Sequence, residues 1–183
     1  MTALETRNGL PDALRVLVTE YPREGWEAHP NFTDLTRFWL DRHIMFREVI
    51  KRLTAGAAAR LEVTIDPQRH AKEVAQYSRF LLNELKMHHH IEDAHYFPQL
   101  MGLDAQVEPG FTILDADHHA LDTHIDALGT ATNAYLQRWS EPDAPAGALH
   151  TTLTSFDRFL DRHLTDEEEL VVPVILKHAP ALD

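Results

Sequence analysis

The sequence predicts an all-α fold: an up-down-up-down four-helix bundle built from two repeated helical hairpins, preceded by an N-terminal arm. Three observations predict it. Long segments with apolar residues at helical spacing alternate with short stretches holding the prolines and glycines. Strand signals are scarce; only residues 61–65 (LEVTI) read as a possible short strand. The chain also repeats itself at a fixed offset.

Each element has a start or stop signal. The first long helix opens near Thr33, with Thr33 or Asn31 as its cap after Pro30. It runs through Phe38, His43, Phe46, Ile50 and Leu53 and continues past Gly56 to about residue 61. The internal glycine costs it roughly 1 kcal/mol. The second starts at Asp66-Pro67, an N-cap followed by an N1 proline, and runs to about Leu100. The third opens near Pro109 and ends near Trp139; the fourth opens within residues 142–145 and ends near His178, before Pro180. Residues 1–30 form the arm, with a short helix at residues 11–19, and residues 31–180 form the bundle.

Composition excludes several functions. There are 17 Lys+Arg against 29 Asp+Glu, a formal net charge of −12, which disfavours nucleic acid and anionic membrane surfaces as partners. The absence of Cys removes disulfides, thiol catalysis and Cys-ligated zinc or iron–sulfur sites. No apolar run approaches the roughly 20 residues of a membrane span, and MTALETRNGL does not read as a signal peptide. A soluble cytoplasmic protein is expected. Gly-rich phosphate loops and an ordered Ser, His and Asp set are missing, which argues against nucleotide and hydrolase chemistry.

The 13 His are the unusual feature, and the repeat organises them. A shift of 75 residues places His43 on His118, His88 on His163, Glu92 on Glu167 and Pro98 on Pro173. The apolar frame follows without a gap: Phe46 on Leu121, Ile50 on Ile125, Leu53 on Leu128, Leu81 on Phe156, Leu85 on Leu160. Within each half, the lone His and the later His-x-x-x-Glu lie at similar distances from the connecting loop, so antiparallel helices would bring them to one level. Residues i and i+4 share a helix face. The interior thus receives His43, His88, Glu92, His118, His163 and Glu167. Burying six such groups is costly unless a metal pair draws on them, and nitrogen and oxygen donors suit iron, manganese or zinc.

These residues resemble the hemerythrin-like (HHE cation-binding) family. The resemblance rests on His43, on HHHIEDAHYFP (residues 88–98), on DHHALDTHIDAL (residues 117–128) and on HLTDEEELVVP (residues 163–173), and it covers about residues 33–178. It implies a centre of two iron ions, with manganese or zinc as alternatives, held by His43, His88, His118 and His163 and bridged by Glu92 and Glu167. It implies that the centre binds or senses O2, NO, peroxide or iron. A redox enzyme on the same scaffold (peroxidase, oxidase, NO-reducing or iron–sulfur-cluster repair type) and an interaction module with an inert metal are the alternatives. Oxygen-carrying hemerythrins have a His where this chain has Asp122, and their last carboxylate falls at Glu168. The four-His, two-Glu set looks more like cluster-repair proteins and hemerythrin-like iron sensors, although the Cys-bearing region of the repair proteins is missing. Oligomeric state leaves no signal in the sequence.

The remaining polar residues read differently. His89 and His90 are expected to face solvent or support the ligands, as is His119. His95, on the His88 face, is expected in the core or behind the ligands, and His124 partly buried. Asp122 is a candidate extra ligand. Asp93 and Glu168 are expected to hold a ligand His by its N–H. His29, His70, His150 and His178 read as surface residues, and residues 166–169 as a solvated acidic face with only Glu167 turned inward. Phe38, Trp39, Tyr77, Phe97 and Phe159 read as mostly core. Pro98 and Pro173 are expected to kink or stiffen their helices.

Overall fold

The side chains expected to start helices do so. The Oγ1 of Thr33 accepts the backbone N–H of Thr36 at 3.2 Å, and Asp66 accepts that of Arg69 at 2.8 Å. A computed structural model describes residues 3–141 and 144–182, and among them there is no strand. In the arm, a 3-10 turn (Asp12–Leu14) and α1 (Val16–Glu20) occupy the region expected to hold one short helix, and a second 3-10 turn (Arg23–Ala28) follows. Then follow α2 (Asp34–Leu61), α3 (Pro67–Ile91), a π-helical turn (Glu92–Tyr96), α4 (Phe97–Leu100), α5 (Glu108–Arg138) and α6 (Ala146–His178). Pro142 and Asp143 of the expected opening of the last helix lie outside the described residues.

Residues 61–65 are a helix terminus rather than a strand. Thr64 donates to the Ala59 carbonyl at 2.9 Å and Val63 to that of Arg60 at 3.3 Å, the paired bonds of a Schellman cap. This puts Val63 at φ 57°, a conformation that β-branched side chains resist. The β-branched residues that suggested a strand are satisfying helix carbonyls instead.

The second expected helix is interrupted. Proline lacks an N–H and its ring collides with the carbonyl four residues back. Here α3 ends at Ile91 and five π-helical residues precede α4, so Pro98 falls in a first turn, where no N–H is needed. Pro173 instead lies inside α6.

The contacts divide the chain into two compact units. The described parts of residues 44–87 and 121–160 form one. Its interior holds the repeated apolar frame: Phe46, Ile50, Leu53, Leu81 and Leu85 with Leu121, Ile125, Leu128, Phe156 and Leu160, all buried. His70 is buried there too, at 1 % exposure, contrary to its expected surface position. It sits on the inward stripe with Ala71 and Val74, and its Nδ1 meets the Tyr135 hydroxyl at 2.6 Å. That burial accounts for Gly56 within α2: a Cβ there would stand 3.3 Å from the His70 ring.

The other unit comprises the described parts of residues 1–43, 88–120 and 161–183. Leu10, Leu14, Leu17 and Trp26 from the arm join Trp39, Phe97, Phe111, Leu114 and the apolar run 170–176 in one core. Phe38 is 62 % exposed rather than core; on α2 it is Trp39, the next residue, that turns inward.

The strain at Val63 gives a test. Asparagine tolerates the left-handed region, so Val63→Asn is expected to stabilise the protein by about 1 kcal/mol, a rise of roughly 2–4 °C in Tm. A thermal melt followed by circular dichroism measures it.

Candidate metal centre

Four helical segments deliver the predicted residues to one interior. His43 comes from α2, His88 from the end of α3, Glu92 from the π turn, His118 from α5, and His163 and Glu167 from α6. All six are buried, His43, His163 and Glu167 completely. The two halves pair as the level argument expects: the His43 and His88 Nε2 atoms are 2.9 Å apart, and the His118 and His163 rings are 4.8 Å apart. The carboxylates lie between the imidazoles. Glu167 Oε2 is 3.6 Å from His43 Nε2 and 3.5 Å from His163 Nε2. Glu92 reaches His88 Nε2 at 3.1 Å through one oxygen and His118 Nε2 at 3.7 Å through the other. Donors bound to one ion at about 2.0–2.2 Å sit only slightly closer together than this.

A second layer orients the rings. His43 Nδ1 meets Glu168 at 3.0 Å, His118 Nδ1 meets Asp93 at 2.7 Å, and His163 Nδ1 meets Asp117 at 3.3 Å. A carboxylate only accepts hydrogen bonds, so each of these Nδ1 atoms carries a hydrogen, and in the neutral ring Nε2 then presents its lone pair to the interior. Trp39 donates its indole N–H to Glu92 at 2.6 Å. Asp93 and Glu168 thus stand where the sequence reading put them.

The arm completes this layer. Arg7 donates to Asp117, with one bond at 2.6 Å, and to Asp166 at 2.8 Å; Arg23 pairs with Glu168 at 2.7 Å. Asp166, Glu167 and Glu168 are therefore all buried, and the expected solvated acidic face is wrong. The arm's arginines cover it, including Arg15, which lies 3.1 Å from Glu169.

Burial sets the protonation. It pushes the His88 and His89 imidazoles well below their ordinary range, each further lowered by neighbouring imidazoles, and brings His163 down to about 4 despite Asp117. It drives the Glu167 carboxyl well above its ordinary range, with Glu92 adding to the effect, and raises Glu92 despite the nearby His118 and His43. At Asp117 burial also pushes upward, but the Arg7 and His163 hydrogen bonds outweigh it and hold the carboxyl low. Burial thus favours the neutral form of His88, His89 and His163, the form a metal requires.

Other expectations change. His89 is buried, not solvent-facing: its ring stacks on His118 with centroids 4.1 Å apart. Two adjacent helical residues reach the same interior because a step of about 100° still falls within it. His95 is exposed, since the π turn inserts an extra residue and swings it off the His88 face. Asp122, His90 and His119 are exposed as well, so Asp122 is in no position to serve as a buried extra ligand. His124 is partly buried against Phe159, with centroids 4.5 Å apart. Arg7 and Arg23 were missed: an arginine far from the motif carries no local pattern that marks it as a partner.

Among the described residues, two groups of side chains could hold a cation: His43, His88, Glu92 and Glu167, and His89, His118 and His163. Imidazole and carboxylate donors converging in a dry helical interior define a cation-binding helical protein. The model of the hemerythrin HHE cation binding domain matches residues 34–175, and the chain belongs to that family. Domains of this family bind metal cations, typically iron. No curated protein and no solved structure matched the chain. Among the described residues no helix is long and apolar enough to cross a membrane.

Two expected outcomes follow from the arm and from burial. Arg7→Met leaves Asp117 buried without its guanidinium, while Asp166 keeps Arg162 at 2.5 Å, so urea denaturation should show a loss of about 3 kcal/mol. Arg37→Met, which breaks an exposed pair with Glu27, should cost under about 1 kcal/mol. Glu167 binds its proton more tightly folded than unfolded. Its contribution to stability is therefore full below about pH 4.5 and is lost as pH rises. In chelator, Glu167→Gln should gain Tm over the parent progressively from pH 4.5 to pH 8. A gap that stays constant across that series would contradict the raised carboxyl.

Proposed function

We propose that the four long helices run up-down-up-down and hold two iron ions between His43, His88, Glu92, His118, His163 and Glu167. We propose further that the centre binds or senses a small ligand of the O2, NO or peroxide class, or iron itself. The observation that carries this is a set of buried donors with no hydrogen-bond partner: both oxygens of Glu167, Oε2 of Glu92, and Nε2 of His118 and of His163. Orphaned buried polar atoms cost about 1–3 kcal/mol each, and so many in one place need a common acceptor of their lone pairs. Manganese or zinc would fit the same donors, and the family favours iron.

When bound, the ions supply a Lewis-acidic and, for iron, redox-active position able to take a small ligand. The chain's own residues do the rest. Glu168, Asp93 and Asp117 hold Nδ1 of His43, His118 and His163, which would leave Nε2 of each ring to ligate an ion. Trp39 fixes Glu92, and the apolar core around them excludes water. A small cavity of about 20 Å³ adjoins Glu92, lined by Leu35, Thr36, Trp39, Tyr96, Phe97 and Val171. That volume admits about one or two water-sized molecules, which favours a diatomic over any larger substrate.

Metal analysis tests the reading on protein loaded with ferrous iron and purified without oxygen. Two irons per chain are expected, with a change in the visible spectrum on adding NO or air. His88→Ala and His163→Ala should each lose metal. Zinc alone, or substoichiometric metal indifferent to both substitutions, would sink the proposal. Turnover of peroxide or NO with a reductant would instead identify an enzyme.

A further inference from the structure

Both ring nitrogens of His89 are buried, at 5 % residue exposure, and neither has a hydrogen-bond partner. A neutral imidazole carries one N–H donor and one lone pair, so this ring leaves two polar atoms unsatisfied at once. His118 and His163 each have a carboxylate on Nδ1; His89 has none. Its ligand atom lies within 4.8 Å of those of His118 and His163, whose Nε2 atoms are themselves unpartnered. No carboxylate belongs to this group, whereas His43 and His88 share theirs with Glu92 and Glu167. Where the repeat sets His88 equal to His163, the residue after the second is the buried Leu164. An apolar side chain would therefore suit the position, and stacking on His118 alone does not explain an imidazole there.

We infer that His89 is a metal ligand, the third imidazole of the ion held by His118 and His163. This rests on the two-ion centre proposed above and adds a residue to it. Adjacent residues then serve different ions: His88 faces His43 and Glu92, and His89 faces the other pair. His89 is the last but two of α3, and the π turn begins directly after Ile91, so both rings are presented before the helix changes pitch.

The test uses the full chain with cobalt(II), whose visible absorption reports coordination, and chelator competition for affinity. The parent should take up two ions. His89→Phe keeps a flat ring on His118, and it should bind one ion as the parent does and the other at least about tenfold more weakly, with an altered cobalt spectrum. The same variant without metal should melt about 2–4 °C higher, because it removes unsatisfied polar atoms from the core. His89→Leu carries the same expectation should the larger ring fail to fold. His90→Phe, at an exposed position, should change neither property. Unchanged affinity and spectrum for both ions in the His89 variants, with a lower metal-free Tm, would give His89 a packing role and overturn the inference while leaving the six-donor centre standing. A parent that binds no stoichiometric metal would remove that centre and this ligand together.

Discussion

Five imidazoles and two carboxyl groups share an interior that water does not reach, and the rest of this structure answers that crowding. Ions cannot stay there unpaired: transfer of a charge to such surroundings costs several kcal/mol even after relaxation. Without metal, burial resolves the conflict through protons. It lowers the His88, His89 and His163 imidazoles and raises the Glu167 and Glu92 carboxyls, favouring the neutral form of each. The pocket still leaves polar atoms without partners. A pair of cations would take the place of the carboxyl protons and satisfy the lone pairs in one step.

Charge is handled one layer further out. Behind the inward Nε2 atoms stand Glu168, Asp93 and Asp117, and behind two of these stand Arg23 and Arg7. Each step moves charge toward a place where it can be paired. Asp93, which has no arginine among the bonds described, is instead more than a third exposed. The anionic layer also fixes tautomers, so the ring nitrogens are aimed before any ion arrives.

Much of this was legible in the residues. The 75-residue repeat located the buried apolar frame and the paired histidines, because a repeat reports spatial equivalence without knowledge of geometry. Thr33 and Asp66 marked two helix starts through local hydrogen bonds that depend only on neighbours. What escaped were features decided by distant partners. His70 looked exposed until Gly56 and Tyr135 made room for it. Residues 166–169 looked solvated because the arginines that cover them lie more than 140 residues earlier. His95 was misplaced since a uniform helical pitch was assumed across a segment that contains a π turn before Pro98. Val63 and its β-branched neighbour suggested a strand, while the carbonyls of α2 needed a cap.

The arm has a bearing on where the functional unit ends. The matched family segment begins at residue 34, and every candidate ligand lies within it. Arg7 and Arg23 do not. A fragment excised at the family boundary would inherit the complete donor set and lose the guanidiniums that make the surrounding anions tolerable. Homology therefore delimits the chemistry of this centre but not its electrical neutrality, and transplanting the site into another helical scaffold would require the leader segment to travel with it.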